Sequence, residues 1–190
     1  CIERAMTRFE DGEFGAIEEA KDHAQKLVAM SGGTGPASER LAAIRADEQE
    51  VRDLIQAGRD LVKEQKWDEA LSAWESITKY LDDPMLKDFG AAHADTVIKS
   101  HDAHVGAANA AVRGVGAKGL TYEAGSDAPY RKALQEFEKA LALRPTSVPA
   151  LEGRRVMTIN VALIEARRFR MAKDPGRARD VLLAAGKRHG

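Results

Sequence analysis

Apolar residues recur along this chain at offsets of three, four and seven, the period of helices buried along one stripe. Three stripes share a small-large-small order: Ala70, Trp74 and Ile77, followed by Pro84; Ala133, Phe137 and Ala140, followed by Pro145; and Ala178, Leu182 and Ala185 near the end. Short side chains let a neighbouring helix come close and the large one fills the gap between them, so helices of this pattern are built to stack.

Turn signals divide the chain into eight predicted helices. The first covers about 2–11 and ends at Asp11-Gly12. The second covers about 14–30, with Ile17, Ala20, Ala24, Leu27 and Val28 inward. Three glycines in Ser31–Pro36 predict a flexible connection to a third helix, about 37–65. Its stripe of Leu41, Ile44, Val51, Leu54, Ile55, Gly58, Leu61 and Val62 runs about 42 Å at 1.5 Å per residue. Lys66-Trp67-Asp68 turns the chain into helix four, about 68–82. Helix five runs from Pro84 to about Arg113, a loop with four glycines covers 114–126, and helices of about 128–143, 148–172 and 175–188 complete the set. Asp83-Pro84 and Asp174-Pro175, and more loosely Asp127-Ala128-Pro129, are helix starts: aspartate caps the free amides, and proline's fixed φ suits the first helical position. Trp74 belongs to the core, while Trp67 either staples its two helices or offers an anchor to a partner.

These helices form four antiparallel pairs, about 2–30, 37–82, 84–143 and 148–188, in a single helical-repeat domain over 1–190. Composition agrees with this reading. The chain is 44% hydrophobic and 31% charged with only 5% aromatics, which suits packed helices with solvated outer faces. Its 190 residues can bury roughly 70% of the surface of the unfolded chain without disulfides. The longest apolar stretch, Val156 to Ile164, is interrupted by Thr158 and Asn160 and falls short of the ~20 residues a bilayer requires. It reads as the most buried helix. The expected fold is all-α, an irregular solenoid or compact bundle of antiparallel helix pairs.

Gly58, Leu61, Trp67, Ala70, Trp74 and Ile77 follow a defined order: a small residue on one helix, a bulky one three later, a second small one twelve after the first, then an aromatic and an apolar position. Over residues 54–84 this resembles a tetratricopeptide repeat, and Ala133, Phe137, Ala140 and Pro145 match the second helix and closing proline of that family. The rest of the chain follows it in outline. The three stripes lie 63 and 45 residues apart instead of the roughly 34 of the family, Ile77 stands where alanine is usual, and no counterpart of Gly58 precedes Ala133. The resemblance therefore implies a protein-binding scaffold of irregular curvature.

Charge is unevenly spread. Residues 144–190 hold eleven Lys/Arg against four Asp/Glu, a net of +7, which leaves −8 for residues 1–143. Arg154, Arg155, Arg167, Arg168 and Arg170 are thus candidate contacts for an acidic partner. Only Phe169 interleaves with them, too few aromatics to stack successive bases, so nucleic acid is not the expected ligand. His93, His101 and His104 lie within about 80° of one another on helix five, with Asp95 and Asp102 on the other side. They are expected to pack at a helix interface or line a groove. His101 and His104 could share a metal ion, yet no third ligand sits at a matching spacing, so neither a metal nor a cofactor is expected.

Cys1 is the one cysteine, and a first-position cysteine resembles the start of a mature bacterial lipoprotein. That resemblance implies Cys1 as the lipidated residue and the membrane as a partner, because a thiolate is the side chain nucleophilic enough for selective alkylation. Cys1 has no identifiable histidine partner and the glycines of 114–125 lack phosphate-cradling spacing. The chain thus offers no catalytic residue and is not expected to be an enzyme. The expected function is a non-enzymatic scaffold, a lipoprotein subunit of a bacterial cell-envelope assembly (outer membrane or periplasm) that binds other protein subunits through the histidines and arginines named above. The alternative is a soluble cytoplasmic adaptor whose basic C-terminal helices hold an acidic peptide or nucleic acid.

Overall fold

Each apolar stripe folds as a helix in the computed structural model, which describes residues 1–33, 35–113 and 127–187. The elements are α1 (Ile2–Glu10), α2 (Ala16–Met30), α3 (Pro36–Lys63), α4 (Trp67–Trp74), α5 (Lys87–Val112), α6 (Ala128–Leu143), α7 (Val148–Met171) and α8 (Pro175–Lys187), with no strand among the described residues. The fold is all-α. The loop expected at 114–126 lies outside the described residues. Helix four is shorter than its stripe predicts: after Trp74 the chain tightens to 3-10 geometry over Glu75–Tyr80, and a second 3-10 turn, Pro84–Leu86, precedes α5. The tightened segment meets the turn after α1 so closely that a Cβ on Gly12 would fall 2.5 Å from the Lys79 carbonyl oxygen.

The chain divides into two compact units, Cys1–Val97 and Ile98–Gly190, with the division inside α5. In the first, α1 packs on α2, α2 on α3 and α3 on α4; in the second, α6 packs on α7 and α7 on α8.

Three of the hairpin turns are the same object. Gly12 (φ 106°), Gln65 (φ 60°) and Lys173 (φ 60°) each take the left-handed conformation. Around each, the residue before it donates to the carbonyl four residues back, the residue itself three back, and the residue after it five back: Glu13 N to Arg8 O at 2.9 Å, Lys66 N to Leu61 O at 3.0 Å and Asp174 N to Phe169 O at 2.8 Å. This pairing satisfies the orphan carbonyls of a helix end. Seven residues before the left-handed position lie Ala5, Gly58 and Ala166, and five after it Ile17, Ala70 and Ala178; all six are buried. The turn thus fixes a register that sets a small residue of the first helix near a buried residue of the second.

The caps differ in use. Asp83 accepts from the Met85 amide at 2.8 Å and Asp174 from the Arg177 amide at 3.1 Å, as their Asp-Pro pairs predict. Asp127 makes no cap; its carboxylate goes to arginines instead.

In the first unit, Phe9, Phe14 and Tyr80 form a ring cluster with centroids 5.3–6.0 Å apart, and Trp74 meets Phe89 edge-on at 5.5 Å. Trp74 Nε1 donates to the Ile55 carbonyl at 3.2 Å, so its one polar atom is satisfied. It fits because Gly58 has no side chain: a Cβ there would lie 2.0 Å from Trp74 Nε1. In the second unit Ala108, Ala133, Ala140 and Ala150 bring the helices together around Phe137, and a Cβ on Gly153 would fall 2.2 Å from Phe137 Cζ. The glycine that admits Phe137 is therefore on the helix after it.

The stretch 156–164 is not the most buried helix. Met157, Val161 and Ile164 are buried, but Val156 is 50% exposed, Ile159 39% and Leu163 43%. Apolar side chains point to every side of α7, and α6 and α8 cover only part of the circumference. Leu182, the large member of the third stripe, is exposed as well.

Candidate functional site

The two units carry opposite charge. Residues 1–97 hold 12 Lys/Arg against 21 Asp/Glu, a net of −9, and residues 98–190 hold 17 against 9, a net of +8.

In the acidic unit, α1, α3 and the 3-10 segment line an open cavity of about 260 Å³. Its floor is Met6, Phe9, Val51, Leu54, Ile77 and Tyr80, and its rim is Glu10, Asp47, Glu50, Ser76 and Lys79. The floor follows from helical period: Met6 and Phe9 are three apart on α1, as Val51 and Leu54 are on α3. Tyr80 is 2% exposed, its hydroxyl makes no hydrogen bond to a described residue, and burial beside Asp47 and Glu10 pushes its pKa up to about 12. Lys79 Nζ donates to the Glu10 carbonyl at 2.9 Å and lies 5.0 Å from the Tyr80 ring centre. The carboxylates of Glu10, Asp47 and Glu50 have no ion-pair partner among the described residues.

The three histidines find different surroundings and do not form one site. His93 is half-buried against the rings of Trp74 and Phe89 at 6.0 and 6.2 Å, and burial lowers its pKa. His101 is 4% exposed; Nε2 lies 2.7 Å from Ser147 Oγ and Nδ1 2.8 Å from an oxygen of Asp102. Asp102 belongs to the opposite side of the helical wheel, yet its side chain bends back to the ring one residue before it. His104 Nδ1 lies 2.6 Å from Glu136 Oε2. These two contacts tie α5 to the start of α7 and to α6. The spacing of the sequence gives no signal for Ser147 or Glu136, 46 and 32 residues away. Among the described residues no group of three or more His, Cys, Asp or Glu side chains could hold a metal ion.

Among the arginines, Arg168 is engaged. It holds Asp127 at 2.8 Å, with Arg131 on the same carboxylate at 2.9 Å and on Glu165. Arg168 and Arg131 pull the Asp127 pKa down to about 2. Arg155, Arg167 and Arg170 are exposed and Arg154 is half-buried; Arg155 and Arg170 have no ion-pair partner among the described residues. Cys1 is an exposed free thiol directly before α1. Beside it, Ile2, Leu27, Met30, Pro36 and Ala37 form a shallow apolar depression with Arg40 on its edge. No helix of the described residues is long and apolar enough to cross a membrane. No known protein family matches the chain, nor does any curated protein or solved structure.

Proposed function

We propose that this chain is a protein-binding scaffold of tetratricopeptide-like helical hairpins, and that its second unit holds an acidic amphipathic helix of a partner protein along α7. The observation that carries this reading is the exposed row of Val156, Ile159 and Leu163. At offsets of three and seven these residues share one face of α7, with Arg155 and Arg170 on that same side. A contiguous apolar strip edged by charge is the usual mark of a docking surface, and a helix laid in such a strip is a recurring mode of recognition. The threefold turn supports the repeat reading, since one register recurs where repeated units would require it. The exposed thiol of Cys1 beside an apolar depression supports lipid attachment there, which would place the scaffold on a membrane of a bacterial envelope.

A calorimetric titration of the full chain with an acidic helical peptide bearing leucines at i, i+3 and i+7 tests the docking claim. Saturable binding that Ile159→Glu abolishes, and that Arg155→Ala with Arg170→Ala weakens at low salt, is the expected result; binding indifferent to Ile159→Glu refutes it. Intact mass of the chain purified from its native membrane tests the anchor: a diacylglyceryl adduct at Cys1 is expected, and an unmodified thiol rejects it.

A further inference from the structure

The cavity of the first unit is a second binding site, unrelated to α7, and we infer that it takes an arginine side chain from a basic segment of a partner protein. Four observations converge on this occupant. The floor is apolar and the rim carries three carboxylates, Glu10, Asp47 and Glu50, against one ammonium, Lys79. Lys79 is held by the Glu10 backbone carbonyl, and three carboxylates against its one ammonium leave the rim a net negative charge that an incoming cation would reduce. Tyr80 places a hydroxyl without a partner in the wall of this cavity, buried to 2% exposure. Buried polar groups are normally hydrogen-bonded, and a hydroxyl oxygen can accept from a cationic donor. The volume, about 260 Å³, lies below the roughly 300–1,000 Å³ of pockets that hold drug-sized molecules, which suits one long side chain.

Arginine fits better than lysine. Its stem would cover Met6, Val51 and Leu54 and meet the ring edges of Phe9 and Tyr80 that line the cavity. Its fork can meet two carboxylates at once, whereas an ammonium is a compact, strongly hydrated point charge.

The test is a calorimetric titration of the full chain with a short capped peptide of glycine and leucine carrying one central arginine, beside twins with lysine or glutamine in its place. The arginine peptide is expected to bind saturably, with a Kd below about 1 mM, at least threefold tighter than the lysine twin, and the glutamine twin not at all. Asp47→Asn with Glu50→Gln should weaken binding at least tenfold. Tyr80→Phe should weaken it about threefold while leaving the melting temperature unchanged or raised, because it removes a buried hydroxyl that has no partner; a merely structural tyrosine would leave affinity untouched. Ile159→Glu, on α7, should change nothing, which separates this site from the docking surface proposed above. No saturable binding, equal binding of the lysine twin, or affinity indifferent to both the Tyr80 and the Asp47/Glu50 variants would overturn the assignment.

Discussion

The core of the first unit packs five buried Phe, Tyr and Trp rings and that of the second packs two. Phe9, Phe14, Trp74, Tyr80 and Phe89 crowd the acidic unit, whereas the basic one holds Tyr130 and Phe137 among Leu141, Met157, Val161 and Ile164; buried alanines bring helices together in both. Large flat side chains do not tile a helix interface completely, and a cavity with a tyrosine in its wall is left beneath the acidic rim. In the basic unit α7 carries apolar side chains on every side, and Val156, Ile159 and Leu163 are left outward. The same hairpin turn serves both units, so whether a unit offers a pocket or a strip follows from the side chains its helices present and not from the turn.

The sharpest way to break this comparison is to fill the two gaps that glycine keeps open. Gly58→Ala and Gly153→Ala would each force a methyl into a buried ring, and each should cost about 1–3 kcal/mol in urea unfolding. A loss under about 1 kcal/mol in either would show that the ring in that unit is loosely held. A smaller effect, confined to the second unit, concerns Asp127. Its folded pKa of about 2 lies below the roughly 3.9 of an unfolded aspartate. The stabilisation it gives is therefore full above about pH 4 and disappears as pH falls through 2. Because Arg131 and Arg168 are half exposed, solvent screening reduces this contribution to about 1 kcal/mol. Asp127→Asn should cost that amount at pH 5 and only a small part of it at pH 2, measured by urea unfolding at both. The smallest effect addresses the shared turn. Gln65→Gly and Lys173→Gly remove a Cβ from left-handed backbone and should each add roughly 0.5–1 kcal/mol; a loss at one position alone would mean that the two turns are not equivalent.

Much of the helical layout was legible because it rests on local chemistry. Asp83-Pro84 and Asp174-Pro175 announce helix starts, and the stripe on α3 shows which face is buried. The 3-10 segment after Trp74 was not legible, since Ala70, Trp74 and Ile77 report a face and not a pitch. The exposure of Val156, Ile159 and Leu163 escaped for a related reason: apolar composition gives no warning that neighbours cover only part of a helix. Gly58 stands twelve residues before Ala70 and could be read as its partner, but Gly153 follows Phe137 and obeys no such spacing. The cavity was the least legible feature, because Glu10, Asp47 and Tyr80 lie on three separate segments and meet only through packing. The histidines were correctly placed on one helix, yet their partners Ser147 and Glu136 come from distant chain.

The measurement that bears most directly on the account is residue-by-residue amide chemical shift mapping of the full chain, titrated first with the acidic helical peptide and then with the arginine peptide. The account predicts that the acidic helix shifts Val156–Leu163 on α7 and leaves the cavity residues Glu10, Asp47 and Tyr80 unmoved, while the arginine peptide does the reverse. Both probes shifting the same residues, or neither shifting any, would contradict it.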